Sequence, residues 1–185
     1  MDFRKVGGVM AAVPEFGGAE IRFQRLPKWA VDVDMPPLSY PEAMAWFTRL
    51  TKGDVTPLRL PLVQPELEMR GRAGALAVDG ANQSGMTVNI RGGNQNYLIR
   101  EGQWLPLTLA AKGRSYLYMV DEDVRINALG KAAVKLTTPL RRRPADGDAL
   151  PIETPVIEGF IDVNPGWSMK SFFETGIRFT LTEAE

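Results

Sequence analysis

Asp32 and Asp34 stand two residues apart in a stretch where apolar Trp29, Val31, Val33 and Met35 alternate with Ala30 and the two aspartates. On an extended strand this spacing puts both carboxylates on one face. Two carboxylates on one face could divide acid and base roles. That division needs a pocket and unlike surroundings, and the neighbouring sequence supplies neither. The pair reads as a polar outer face or a subunit contact. Asp121-Glu122-Asp123 is the densest acidic cluster and offers oxygens suited to Ca²⁺ or Mg²⁺. It lacks the Asp-x-Asp-x-Asp-Gly alternation that wraps a loop around an ion, so it reads as a solvated turn. Gly92-Gly93-Asn94 lacks both phosphate-cradle spacings and no helix follows it, which leaves a hairpin turn. No G-x-S-x-G occurs, and no Ser or Thr precedes a Lys by three residues. Arg141-Arg142-Arg143 is the one basic run, and Tyr97, Trp104, Tyr116 and Tyr118 lie in the same region. Aromatics with arginine could stack on single-stranded nucleic acid. Core packing of the rings, with the arginines in subunit salt bridges or at a solvated loop tip, is the simpler expectation.

Composition narrows the chemistry further. The 185 residues include no Cys and no His. That excludes disulfides, thiolate nucleophiles, Cys- or His-based metal sites and a Ser-His-Asp triad. An enzyme built here would rely on carboxylates, Lys, Tyr, Ser or Thr, and neither catalysis nor a cofactor is expected. Lys plus Arg and Asp plus Glu both number 22, for a formal net charge of zero. Such balance disfavours duplex nucleic acid held by bulk electrostatics and does little to keep copies apart. No stretch approaches the ~20 apolar residues of a membrane span. The run from Val6 to Val13 makes a poor signal peptide, since Gly7 and Gly8 dilute it and Pro14-Glu15 ends it. Folding in a reducing cytoplasm is the expectation.

The elements that must position these residues are mostly strands. Gly 18 and Pro 14 point to many turns. Residues 19–26 and 29–35 alternate with period two, as half-buried strands do, and Pro27-Lys28 joins them as a hairpin or as one bent strand. The one helix starts at Ser39, with Glu42 three residues on in a capping box and Pro41 in the first turn. Ala43, Trp46, Phe47 and Leu50 form its apolar stripe, and Gly53 is expected as a left-handed cap. Residues 58–63 alternate through Leu58, Leu60 and Leu62, and Pro57 and Pro61 make this a short or edge strand. Gln64 to Gly74 reads as a crossing linker.

From Ala75 to Leu150 turn signals recur every eight to twelve residues, which suggests a small all-β barrel or sandwich. Met86, Val88 and Ile90 alternate, Tyr116 to Val120 is apolar on both faces, and Val134 with Leu136 marks another strand. Beyond Pro151 the patterning of residues 1–65 resumes. Val156 to Val163 reads as a strand with Gly159 as a bulge, Asn164-Pro165-Gly166 as a turn, and Ile177 to Leu181 as a last strand. Residues 1–65 carry a net +1, residues 66–150 +3 and residues 151–185 −4. The expected fold is mainly β. Residues 1–65 plus 151–185 form a discontinuous outer domain, and residues 66–150 form an inserted all-β module.

The order of short motifs resembles a known family. Val78-Asp79-Gly80-Ala81-Asn82-Gln83-Ser84-Gly85-Met86-Thr87 opens the module, and Tyr116-Leu117-Tyr118-Met119-Val120 lies within it. Asp123-Val124-Arg125, Gly130-Lys131-Ala132, Thr138-Pro139-Leu140-Arg141 and Asp146-Gly147-Asp148 follow. With the Pro41 to Lys52 helix ahead of it, this series resembles tailed-bacteriophage tail-tip proteins related to the distal tail protein, over roughly residues 28–185. The resemblance implies a β-sandwich belt domain with one flanking helix, split by an inserted OB-like or sandwich barrel. It implies a virion structural protein, assembled in the host cytoplasm, that forms a homo-oligomeric and usually hexameric ring. The ring joins the tail tube protein above to hub or fibre proteins below, around the DNA exit path, without sequence-specific nucleic-acid contact. Ring contacts are expected from strands Trp29 to Met35 or Phe172 to Leu181, with Trp29, Asp32 and Asp34 on one side and Arg141, Arg142 and Arg143 on another. An alternative role is recognition of a host-surface glycan or protein by the module, through Trp104 and the neighbouring tyrosines.

Overall fold

The computed structural model describes residues 1–7, 9–12, 21–24, 26–53, 55–64, 71–161, 166–171 and 174–184. The expected turn at Asn164-Pro165 and most of the Gln64 to Gly74 linker lie outside them. The chain divides into two compact units, Met1–Arg59 with Glu158–Glu185, and Leu60–Ile157. In chain order the first stretch holds β1 (Asp2–Val6), β2 (Val9–Ala12), β3 (Ile21–Gln24), β4 (Lys28–Asp34), α1 (Tyr40–Leu50) and β5 (Leu58–Pro61). The second unit holds β6 (Gly74–Val78), β7 (Thr87–Gly93), β8 (Leu98–Ile99), β9 (Trp104–Leu109), β10 (Arg114–Met119), β11 (Val124–Arg125) and β12 (Ala132–Lys135). The chain then runs through β13 (Val156–Ile161), β14 (Gly166–Ser171) and β15 (Glu174–Glu183). The protein is mainly β, with several antiparallel sheets and one helix among the described residues.

The first unit is built on a sheet in the order β1-β4-β15-β13-β5, with β14 also paired to β15. Period-two patterning sorts the faces. Ile177, Phe179 and Leu181 of β15 are buried while Arg178 between them is exposed. Val31 and Val33 of β4 are buried on the same side, opposite Leu181 and Phe179. β3 pairs antiparallel with β2, and β4 with β1. The Val6 to Val13 run, weakly apolar in sequence, thus supplies the end of β1 and the whole of β2. Both strands are hard to read because glycine separates them and charges fill β1.

The helix begins as expected. The Glu42 carboxylate accepts hydrogen bonds from both the backbone N–H and the hydroxyl of Ser39, which hold its carboxyl below the usual carboxylate range. Ala43 and Leu50 are buried, Trp46 and Phe47 are half-buried, and the Arg49 guanidinium lies 5.6 Å from the centre of the Trp46 ring. Gly53 departs from expectation. It is not left-handed, and Thr51 in right-handed geometry ends the helix. A side chain at Gly53 would meet Ile161 Cδ1 at 2.7 Å and Leu58 Cδ1 at 2.9 Å, and the Gly53 carbonyl accepts the Ile161 N–H at 2.9 Å. Glycine is there for close approach. Gly159 is a second such case. It pairs in register with Glu183 and forms no bulge, but a Cβ there would press on the Thr182 carbonyl and lie 2.9 Å from Glu183 Cα.

In the second unit antiparallel pairs run in a circuit. β6 pairs with β7, β7 with β12, Leu136 with Val120, β10 with β9, Thr108 with Ala149, and Ala149 with Ala77 of β6. β8 pairs with β11 apart from that circuit. Val88, Ile90, Tyr116, Tyr118, Val134 and Leu136 share one buried cluster. Met86 does not join them. It lies before the ladder begins at Thr87↔Lys135 and is 50 % exposed. The Leu62 N–H donates to the Pro155 carbonyl at 2.8 Å, which brings the two ends of this unit side by side.

Candidate functional site

The two aspartates singled out on β4 tie that strand to its neighbours through side-chain pairs. On β4, Asp32 accepts from the Thr180 hydroxyl of β15 and forms an ion pair with Arg4 of β1 at 3.3 Å. Asp34 accepts from Arg178 of β15, at 3.0 Å from Nε and 2.7 Å from Nη2. Its carboxyl is lowered by the Arg178 hydrogen bond, and the Arg178 guanidinium is raised in turn. The two carboxylates do share a face, as the spacing requires, but each is tied to neighbouring strands. Trp29 is half-buried, and its backbone N–H donates to the buried Glu183 carboxylate at 3.1 Å.

The sheet order places the strands expected to make ring contacts inside the sheet. β4 lies between β1 and β15, and β15 between β4 and β13. β4 pairs with β1 over residues 28–32 and with β15 over 30–34, and β15 pairs with β4 over 178–182 and with β13 over 181–183, so both are internal strands over the residues paired on each side. The outermost strands of the sheet are β1 and β5.

The basic run also divides. Arg141 is half-buried, with its guanidinium 5.2 Å from the Tyr116 ring centre and 5.3 Å from that of Tyr118. Its Nη2 donates to the Leu117 carbonyl at 3.0 Å, and its backbone N–H donates to the Tyr118 hydroxyl at 3.0 Å. A guanidinium held against two rings and a carbonyl belongs to the scaffold of its unit. Only Arg142 and Arg143 are exposed. Tyr97, Trp104, Tyr116 and Tyr118 are all buried, Trp104 at 8 % exposure. None of the four offers a stacking face to a base or a sugar.

The module's opening and closing motifs meet. Asp146 accepts from the Gly80 N–H at 2.8 Å and from Arg91 of β7 at 2.9–3.0 Å. The Gly80 N–H, and then Arg91, holds the Asp146 carboxyl below the usual range. Asp79 is 2.7 Å from Lys131 and 3.6 Å from Arg91, which extends the network to the residue just ahead of β12. Gln83 folds over the same turn. Its amide donates to the Asp79, Gly80 and Asn89 carbonyls and accepts the Asn89 N–H at 2.7 Å. Asp148, 4 % exposed, accepts from the Ala110 N–H at 3.0 Å and the Ala145 N–H at 2.8 Å. The Asp-Gly-Asp run therefore forms a clasp between turns, with Gly147 at φ 84° between its two carboxylates.

The acidic cluster is used in the same way. Asp123 accepts the Glu101 N–H at 2.8 Å, and Glu122 pairs with Lys135 at 2.9 Å. Among the described residues no group of three or more carboxylates is placed to hold a metal ion. Sequence reasoning missed two buried carboxylates, Glu158 and Glu183. Glu158 meets Arg59 Nε at 3.0 Å. Glu183 pairs in register with Gly159, so the two carboxylates project from opposite faces of neighbouring strands and do not form a dyad. No local signal marks either one in the sequence. Among the described residues no helix is long and apolar enough to cross a membrane.

Searches of the chain against models of protein families and against curated proteins return no match.

Proposed function

We propose that this chain is a virion structural protein of a bacteriophage tail tip. Copies form a ring, hexameric by analogy with the resembled family, that joins the end of the tail tube to hub or fibre proteins around the DNA exit path. The first unit is read as the ring-forming belt, a sandwich with its flanking helix, and the second as an inserted barrel. The circuit of strand pairs around one buried cluster supports the barrel reading.

One observation carries the functional reading. Asp32, Asp34 and Arg141, singled out for chemistry, and Asp146, from the resembled motif, are all engaged in fastening strand to strand or turn to turn. Polar groups placed in this way serve shape rather than turnover. The motifs that carry the family resemblance, from Gly80 to Gly85 and at Asp146-Gly147-Asp148, are the residues that form the clasp. Ring contacts then fall to surfaces other than the edges of β4 and β15, with Arg142 and Arg143 still available on the module.

Mass measurement of the purified chain, together with proteomics of assembled tails, tests this. Ring-sized oligomers and a fixed copy number per particle are expected. A protein absent from tails, or turnover of a small molecule or polymer by the lone subunit, overturns the reading.

A further inference from the structure

We infer that the second unit binds a second copy of this chain end to end, its basic loop pair set against the acidic turns at the far end of the next copy's second unit. One carboxylate builds the basic end. Asp148 accepts the Ala110 N–H and the Ala145 N–H, which ties the turn holding Lys112 to the loop holding Arg142 and Arg143. All three cations are exposed, and among the described residues none of them has an acidic partner. With Arg114 and Arg141 this end holds five cations against Asp146 and Asp148. Asp146 is already held by Gly80 and Arg91, and Asp148 by the two backbone groups.

Two turns meet in the same way at the other end. The Asp123 carboxylate accepts the Glu101 N–H at 2.8 Å, so the turn at Glu101 lies against residues 121–123. Glu101 and Asp121 are exposed and have no cationic partner among the described residues. Glu122 keeps Lys135. Against these four carboxylates stand Arg100, Arg125 and Lys135, which leaves this end net negative.

β10 separates the two clusters. It starts at Arg114, paired with Leu109 beside the Lys112 turn, and ends at Met119, paired with Trp104 beside the acidic turns. Its six residues span about 20 Å at ~3.3 Å each. That exceeds the screening length of about 8 Å at physiological salt, so the two ends do not neutralise each other. A two-fold contact through either end would set like charges face to face, which selects against it. A basic end on an acidic end leaves one end of each kind open, and this is the head-to-tail contact from which rings close. Closure into a ring, and that alone, rests on the tail-tip reading.

Sedimentation of the full chain tests this. Arg142→Glu with Arg143→Glu makes both ends negative, and Glu101→Lys with Asp121→Lys makes both positive. Each double variant alone should associate at least about tenfold more weakly than wild type. An equimolar mixture of the two should recover association, with the copies alternating. Urea midpoints should match wild type, since the altered side chains are exposed. Wild-type association should also weaken between about 0.1 M and about 0.5 M salt. A mixture no better than its components, association insensitive to salt, or a wild-type chain monomeric at all concentrations overturns the inference. Wild-type oligomers that both variants leave intact overturn it too, and spare the tail-tip reading. Rescue on mixing, in a protein absent from tails, does the reverse.

Discussion

Asp146 accepts a backbone N–H and a guanidinium at once, and this gives its ionised form a role in stability. Its folded carboxyl is more acidic than the unfolded one, so the unfolded chain binds more protons. The clasp's contribution is complete above roughly pH 4 and is lost as the pH falls through the lowered folded value. Asp146→Asn should flatten that acid limb, which urea midpoints at about pH 6 and about pH 3 would reveal; an unchanged difference between the two midpoints would refute the assignment. The three arginines make a sharper comparison. Arg141→Ala should cost about 2 kcal/mol, because it removes two stacked faces and a hydrogen bond to Leu117. Arg142→Ala and Arg143→Ala should each stay within about 0.5 kcal/mol, as exposed substitutions do. Equal effects at all three positions would remove Arg141 from the scaffold.

At the scale of elements, β13 and β15 meet so closely at Gly159 that even a methyl group collides with main chain. Gly159→Ala should destabilise the first unit by about 1–3 kcal/mol, the range for overpacking, with a lower denaturation midpoint at unchanged slope. Ser39→Ala should cost about 1 kcal/mol through the helix start, measured the same way. These elements also show what the residues reveal before any coordinates. β4 and β15 are legible because one face is apolar and the other polar, and α1 because its cap and stripe agree. β1 is not, since a terminal strand with four exposed residues carries almost no apolar alternation. Gly53 and Gly159 stand out but mislead, because the same residue type serves a cap, a bulge or a tight contact, and only the neighbouring strand decides which. The spacing of Asp32 and Asp34 places them on one face, but their partners, Arg4, Arg178 and Thr180, come from strands that sequence does not align. Arg141 is hidden in its run for the same reason, since the Tyr116 and Tyr118 rings against it lie more than twenty residues away.

For the whole molecule, the second unit has its own buried cluster and a closed circuit of strand pairs, which are the requirements for independent folding. A fragment spanning Leu60–Ile157 should unfold in one cooperative transition, and calorimetry showing no heat-absorption peak would count against it. Within the first unit, the two residues that flank the break in its sequence meet each other, Arg59 to Glu158 at 3.0 Å. The chain thus leaves and re-enters the first unit through a single narrow doorway. Such a doorway makes the intervening hundred or so residues exchangeable cargo: a short glycine-containing bridge, or an unrelated domain with adjacent ends, could be spliced in at that point while the host sheet keeps its register.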